Sequence, residues 1–177
     1  MVKEVVIAIK KKYPDKIIII GGGNARAQMQ VFFDAGADLI CLSEAEETIV
    51  EIAELIKIGK RNFSKVEGVA GKEGFINSKI KIIYDLDELP IPAWDLVPMK
   101  KYWQIARPHG GGLKDGNVAY APVMFSRGCP YKCHYCHISK ELEGSLSGNT
   151  RKYRMKSIGR VVKELKILKD LGVNYVF

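Results

Sequence analysis

The sequence predicts an α/β fold, and three observations carry that prediction. Through the first 60 residues, helix-like and strand-like segments alternate in the order helix, strand, helix, strand, helix. The strand-like segments "KIIII" (16–20) and "DLICL" (38–42) are continuous apolar runs, the pattern of strands covered on both faces of a parallel sheet. A further strand–loop–helix–strand run occupies residues 117–177.

Each element has its own signal. Val2, Val5, Val6 and Ile9 recur at helical spacing and predict an amphipathic helix over residues 2–12, stopped by Pro14 and Asp15. Gly21, Gly22 and Gly23 form a Gly-rich turn after the first strand, and "ARAQMQVFFDAG" predicts a helix closed at Gly36. Cys41, alone in the second strand, is expected to be a small core residue. Ser43 and Glu46 stand at capping-box spacing before a helix expected to bury Ala45, Ile49, Ile52, Ala53 and Ile56. Two strands leave most of their apolar surface uncovered, so residues 1–60 are expected to be the tail end of a longer domain.

Residues 61–100 lose this rhythm. "VEGVAGKEGFINSKIKII" predicts a hairpin turning near Gly71–Gly74, and "LDELPIPAWDLVP" reads as a stiff linker in which Trp94, Leu96 and Val97 need a surface to pack on. In the third module, 101–177, "HGGGLKDG" (109–116) lacks the P-loop order and is expected to be a loop. Residues 117–128 predict a strand and 139–150 a polar connection. Ser157 caps a helix whose buried stripe is expected to be Ile158, Val161, Val162, Leu165, Leu168 and Leu171, with Gly172 as its stop. "NYVF" begins another strand, and this module too is expected to be truncated.

Bulk properties narrow the function classes. With 47% hydrophobic and 27% charged residues the chain is of soluble globular type, and no apolar run is long enough to span a bilayer. The first residues lack the order of a signal peptide, so a cytoplasmic location is expected. The net charge of +8 is uneven: residues 1–60 carry 8 Lys and Arg against 9 Asp and Glu, and the remainder carries 20 against 11. Eight of those cations lie between Arg151 and Lys169, where a solvated helix face is the preferred reading over a tRNA-binding one.

Three of the four cysteines fall within eight residues of "SRGCPYKCHYCHIS", as Cys129-x3-Cys133-x2-Cys136. In a chain expected to be cytoplasmic, this points to metal or redox chemistry before a disulfide framework. Three thiolates on one cluster leave an open coordination position, as a catalytic iron–sulfur cluster requires. The loop directly follows a predicted strand, the place where (β/α) barrels carry active sites. The competing reading is zinc bound by the three cysteines and His134 or His137, a non-enzymatic module facing nucleic acid. Structural zinc normally draws two separated pairs of ligands, and these histidines directly adjoin cysteines.

The cysteine spacing, with Tyr135 before the last cysteine, resembles the signature of radical S-adenosylmethionine (SAM) enzymes. "SRGCPYKCHYC" is similar to the form in families with an N-terminal cobalamin-binding-type domain. "IIIIGGGNARAQMQVFFDAGADLICLSEAEETIVEIAEL" resembles the second half of that domain, with Ser43-Glu44-Ala45 where the family has Gly-Glu-Gly. "LPIPAWDLVPMKKYW" is similar to the linker between the two domains. The resemblance implies the C-terminal part of a Rossmann-like cobalamin-binding domain (1–60), a hairpin and Pro-rich linker (61–100), and the first βα units of a partial radical SAM barrel (101–177). It implies a [4Fe–4S] cluster on Cys129, Cys133 and Cys136, with SAM chelating the fourth iron and Tyr135 near its adenine. Gly21, Gly22 and Gly23 are the implied cobalamin contacts. The implied partners are a small-molecule substrate and an electron donor such as flavodoxin or ferredoxin. The implied chemistry is reductive cleavage of SAM for methyl transfer or rearrangement. A tRNA-modifying methylthiotransferase-like enzyme is the alternative, although that branch carries further cysteines in its N-terminal domain.

Overall fold

The isoleucine run becomes the edge of a sheet that reaches further than the parallel pair expected. The computed structural model describes residues 1–79, 81–105, 118–131, 133–136 and 152–177. The chain divides into two units, Met1–Ile83 with Gly128–Lys152, and Tyr84–Arg127 with Tyr153–Phe177.

The first unit runs α1 (Val2–Lys12), β1 (Ile19–Ile20), α2 (Gly23–Ala27), α3 (Met29–Asp34), β2 (Leu39–Cys41), α4 (Glu46–Lys57), β3 (Val69–Gly71) and β4 (Ile76–Asn77). Strand β1 pairs in parallel with β2, Ile19 opposite Leu39 and Ile20 opposite Ile40. The expected hairpin forms and turns through Gly74, whose φ is +89°. It docks antiparallel on the other side of β2, giving the order β1-β2-β3-β4. Because successive strand residues face opposite ways, Ile40 enters one core with Val6, Phe32 and Ala35, and Leu39 enters another with Ile52, Phe63 and Val69. That two-sided burial is why β2 is written as an unbroken apolar run.

Three local expectations are corrected here. The helix expected up to Gly36 is two, broken at Gln28, whose backbone (φ −129°, ψ 42°) is not helical. Helix α1 buries Val6 alone of its stripe; Val2 and Val5 are half exposed. Val6 joins the core with Phe32, Ala35 and Ile40. Helix α4 has Ala45 as its N-cap with no side-chain cap, because the Ser43 hydroxyl donates instead to the Lys81 carbonyl at 3.3 Å. Its buried face is Thr48 and Ile52 with Leu55 and Ile56 packed alongside, leaving Ile49 and Ala53 exposed. The Thr48 hydroxyl donates to the Glu67 carbonyl at 3.2 Å, which fixes that rotation.

The second unit contains a short 3-10 turn (Trp94–Leu96), α5 (Met99–Ile105), β5 (Tyr120–Ala121), β6 (Ser126–Arg127), β7 (Arg154–Met155), α6 (Ile158–Asp170) and β8 (Tyr175–Val176). Strands β5 and β8 pair in parallel, Tyr120 opposite Tyr175. The single strand expected over 117–128 is two, with different partners, since β6 pairs antiparallel with β7. Pro122, which has no N–H to give a ladder, directly follows β5. Ala121, Leu168 and Val173 form the core, with Trp94, Met99 and Trp103 packed against it. The Pro-rich segment is therefore docked through Trp94, while Leu96 is exposed. Ser157 caps α6 as expected, its hydroxyl accepting from the Arg160 N–H at 3.1 Å, and Gly172 (φ +88°) ends the helix. The stripe is rotated: Glu164 and Leu168 are buried, whereas Ile158 is 83% exposed. The loop expected at 109–116 and the polar connection at 139–150 lie outside the described residues. No helix among the described residues is long and apolar enough to cross a membrane.

Candidate functional site

The cysteine-bearing segment starts where β6 stops. Gly128 has φ +80°, a conformation that a side chain resists, and it turns the chain out of the strand into Cys129. Cys133 and Cys136 bracket a tight turn closed by the Cys136 N–H donating to the Cys133 carbonyl at 3.2 Å. All three cysteines are part-exposed, and none is in a disulfide. No group of three or more His, Cys, Asp or Glu side chains among the described residues is gathered in a geometry that holds a metal ion. The segment thus brings the three thiols into one short loop without preassembling a cage.

The donor set still fits an iron–sulfur cluster better than a hard cation, since it is made of accessible soft thiols on one loop. Cys41 is no fourth donor: it is buried in β2, and burial pushes its thiol pKa up, favouring the protonated form. His134 and Tyr135 point to solvent, Tyr135 at 93% exposure, and His137 lies outside the described residues.

The Gly-rich turn lies at the C-terminal end of β1, the edge at which open α/β sheets take ligands. Gly22 adopts φ +101°, ψ 162°, a region essentially reserved for glycine. A Cβ on Gly22 would meet nothing within 4 Å, so the backbone conformation, not crowding, requires the glycine, and the turn's outer side is open. That open, side-chain-free edge fits close approach by a flat ligand. Next to it, the Arg26 guanidinium donates to the Leu42 carbonyl at the end of β2 at 2.8 Å.

Two charged groupings escaped sequence reasoning. In the first, Glu44 accepts the Ile83 N–H at 2.9 Å, and the Lys81 ammonium sits 3.2 Å from Glu51 and 3.7 Å from Glu47. Burial pulls the Lys81 pKa down, but the Glu51 hydrogen bond and the surrounding carboxylates outweigh it and raise the pKa above the ordinary lysine value. The acidic start of α4 thus holds the exit of the hairpin. The only signal in the sequence was the i, i+4 spacing of Glu47 and Glu51. In the second, Glu164 accepts from Lys156 at 2.7 and 2.8 Å and from Arg160 at 2.8 Å. Hydrogen bonds from Ser157 hold the nearby Asp87 carboxyl below its usual pKa. Lys156, Arg160 and the buried Arg154 are therefore structural, which corrects the expectation of a wholly solvated basic face.

Comparison with known proteins extends these observations. Residues 123–177 match the family model of the radical SAM superfamily. An uncharacterized methyltransferase of Pyrococcus horikoshii is 31% identical over 137 residues, covering 74% of this chain and 25% of the relative. The radical SAM methyltransferase TsrM of Kitasatospora setae, solved with cobalamin and a [4Fe–4S] cluster bound, superposes with a TM-score of 0.60 at 16% identity, over 98% of this chain and 32% of that one. The cobalamin-dependent SAM radical enzyme OxsB, solved with aqua-cobalamin and SAM, gives 0.61 at 19% identity, over 97% and 21%. The chain shares the fold of those portions, and it spans about a quarter of the length of the curated relatives it matches. Residues 123–177 thus carry the sequence pattern of the radical SAM superfamily.

Proposed function

We propose that the chain is part of a cobalamin-type radical SAM enzyme that transfers a methyl group, or performs another radical rearrangement, on a small molecule. The observation that carries this reading is the placement of three part-exposed thiols, Cys129, Cys133 and Cys136, in one loop directly after β6, inside the superfamily segment. The methyltransferase name of the Pyrococcus relative supports the reaction class, and the fold shared with two cobalamin-bound structures supports the second cofactor.

In this reading Cys129, Cys133 and Cys136 would hold a [4Fe–4S] cluster and leave one coordination position open for SAM. Such a cluster, reduced by a donor such as flavodoxin or ferredoxin, would supply the one-electron chemistry of reductive SAM cleavage. The protein's own part is placement. Gly128 directs the loop away from β6, and the turn between Cys133 and Cys136 sets the spacing of two ligands. Tyr135, its ring in solvent, offers its backbone to the adenine. Gly21, Gly22 and Gly23 keep the end of β1 free of side chains for the corrin. Residues 1–60 then act as a partial cobalamin-binding domain, 61–100 as the connection, and 101–177 as the start of the barrel.

Anaerobic reconstitution with iron and sulfide tests the reading. The expected product is a brown protein with about four irons per chain, lost on replacing any of the three cysteines by alanine. A colourless protein retaining zinc and no iron would overturn it.

A further inference from the structure

We infer that Glu164 is a positioning residue for the cysteine-bearing loop: the buried Lys156–Glu164–Arg160 group is a clasp on the loop's base. The chain leaves and re-enters the second unit through the β6–β7 ladder, which has only two pairs, Ser126 with Met155 and Arg127 with Arg154. In sequence, the three cysteines lie between those two strands. Closing so long a loop costs conformational entropy, and a two-pair ladder is marginal without further support.

Lys156 supplies that support as the residue following β7. Its N–H donates to the Phe125 carbonyl at 2.9 Å, adding a rung. Its ammonium, 5.9 Å from the Phe125 ring centroid, makes both hydrogen bonds to Glu164. Glu164 is 3% exposed and stands in the buried stripe of α6. It also takes the Arg160 Nε–H, and the other Arg160 nitrogens donate to the Asp87 carbonyl at 3.2 Å and the Leu89 carbonyl at 2.6 Å. One carboxylate thereby joins the strand end, the helix and the 87–89 segment. A buried ion group is not needed for stability, since apolar side chains of similar volume often serve as well. Its directional bonds instead specify one geometry, and here that geometry is where the chain returns from the loop. The consequence for chemistry rests on reading Cys129, Cys133 and Cys136 as cluster ligands.

Residue-resolved hydrogen–deuterium exchange on the full metal-free chain tests the clasp without reference to any cluster. In Glu164→Gln the Lys156 amide should exchange about tenfold faster or more, while amides late in α6 keep their protection. Lys156→Arg should retain protection at residue 156 and Lys156→Met should lose it. Unchanged exchange in Glu164→Gln overturns the inference. So does a loss spread through all of α6 in both Glu164→Gln and Lys156→Met, which would make the group a packing element only. After reconstitution, Glu164→Gln should lose iron to a chelator about tenfold faster than wild type, as a mispositioned loop exposes its ligands; equal rates overturn the positioning role. A wild-type chain that takes up no iron overturns the cluster reading and with it the role toward a cluster, and the exchange result then decides the clasp by itself.

Discussion

Asp38 shows how much a single carboxylate organises at the entrance to β2. It accepts the Ile18 N–H at 2.8 Å, pairs with Lys10 at 2.8 Å, and pairs with Lys72 from the hairpin. Burial pushes its pKa up, but the Lys10, Lys72 and Ile18 hydrogen bonds outweigh burial and hold the carboxyl below the ordinary aspartate value. A depressed folded-state pKa contributes stability above the unfolded value of about 4, and that contribution is lost as pH falls through the folded value. Asp38→Asn should therefore cost about 1–2 kcal/mol at pH 7, the lower part of the range for charged hydrogen bonds because Lys72 is half exposed. In urea unfolding the gap between wild type and variant should close as pH drops from about 5 to below the lowered folded-state value. An equal gap at both ends would show that the charge is not responsible. Gly22 makes a separate case, one of backbone: Gly22→Ala should cost about 1–3 kcal/mol, since φ +101° is imposed with no neighbour in the way.

At the scale of elements, two serines that look alike in sequence separate cleanly. Ser157 and Ser43 each precede a helix, and each reads as a cap. Ser157 is one: its hydroxyl accepts the Arg160 N–H, and Ser157→Ala should cost about 1 kcal/mol. Ser43 instead spends its hydroxyl on the Lys81 carbonyl at a long 3.3 Å, so Ser43→Ala should cost about 0.5 kcal/mol or less. Thermal melts of the two variants would decide it, and equal losses would contradict the assignment. Helix spans were legible because they depend on local periodicity and stop signals, as in α1 and α6. Their rotation was not, because it is set by distant partners: Thr48 by the Glu67 carbonyl, and Glu164 by Lys156. A charged residue inside an aliphatic stripe is invisible to periodicity until its partners are known. Gln28 broke a helix without any proline or glycine to announce it.

For the whole molecule, the α/β class was legible because β2 is buried on both faces and must be apolar throughout. The docking of the hairpin on β2 was not, since antiparallel pairing across the intervening helix and loop of residues 42–68 leaves no local mark. The cysteine loop was legible from spacing alone, yet its thiols are gathered in sequence more than in space. Charge is the property in which sequence and structure diverge most. The basic excess beyond residue 60 suggested nucleic acid as one reading, but much of it is already committed. Lys72, Lys79 and Lys81 pair with carboxylates, and Arg154, Lys156 and Arg160 are buried or nearly so. On α6 the exposed cations are Lys163, Lys166 and Lys169, interleaved with the exposed Ile158 and Val162. Three phosphate contacts on a single strand predict a slope near −2 in log affinity against log salt, and a dissociation constant of about 10⁻⁴–10⁻⁶ M at physiological salt, as for non-specific binding. Fluorescence anisotropy with a labelled single-stranded RNA across a salt series measures both quantities. Nanomolar binding, or a slope steeper than about −5, would mean that many more cations face the ligand than this surface offers, and would revive the tRNA-directed reading. The expected weak, shallow response would accord with the small-molecule substrate proposed above.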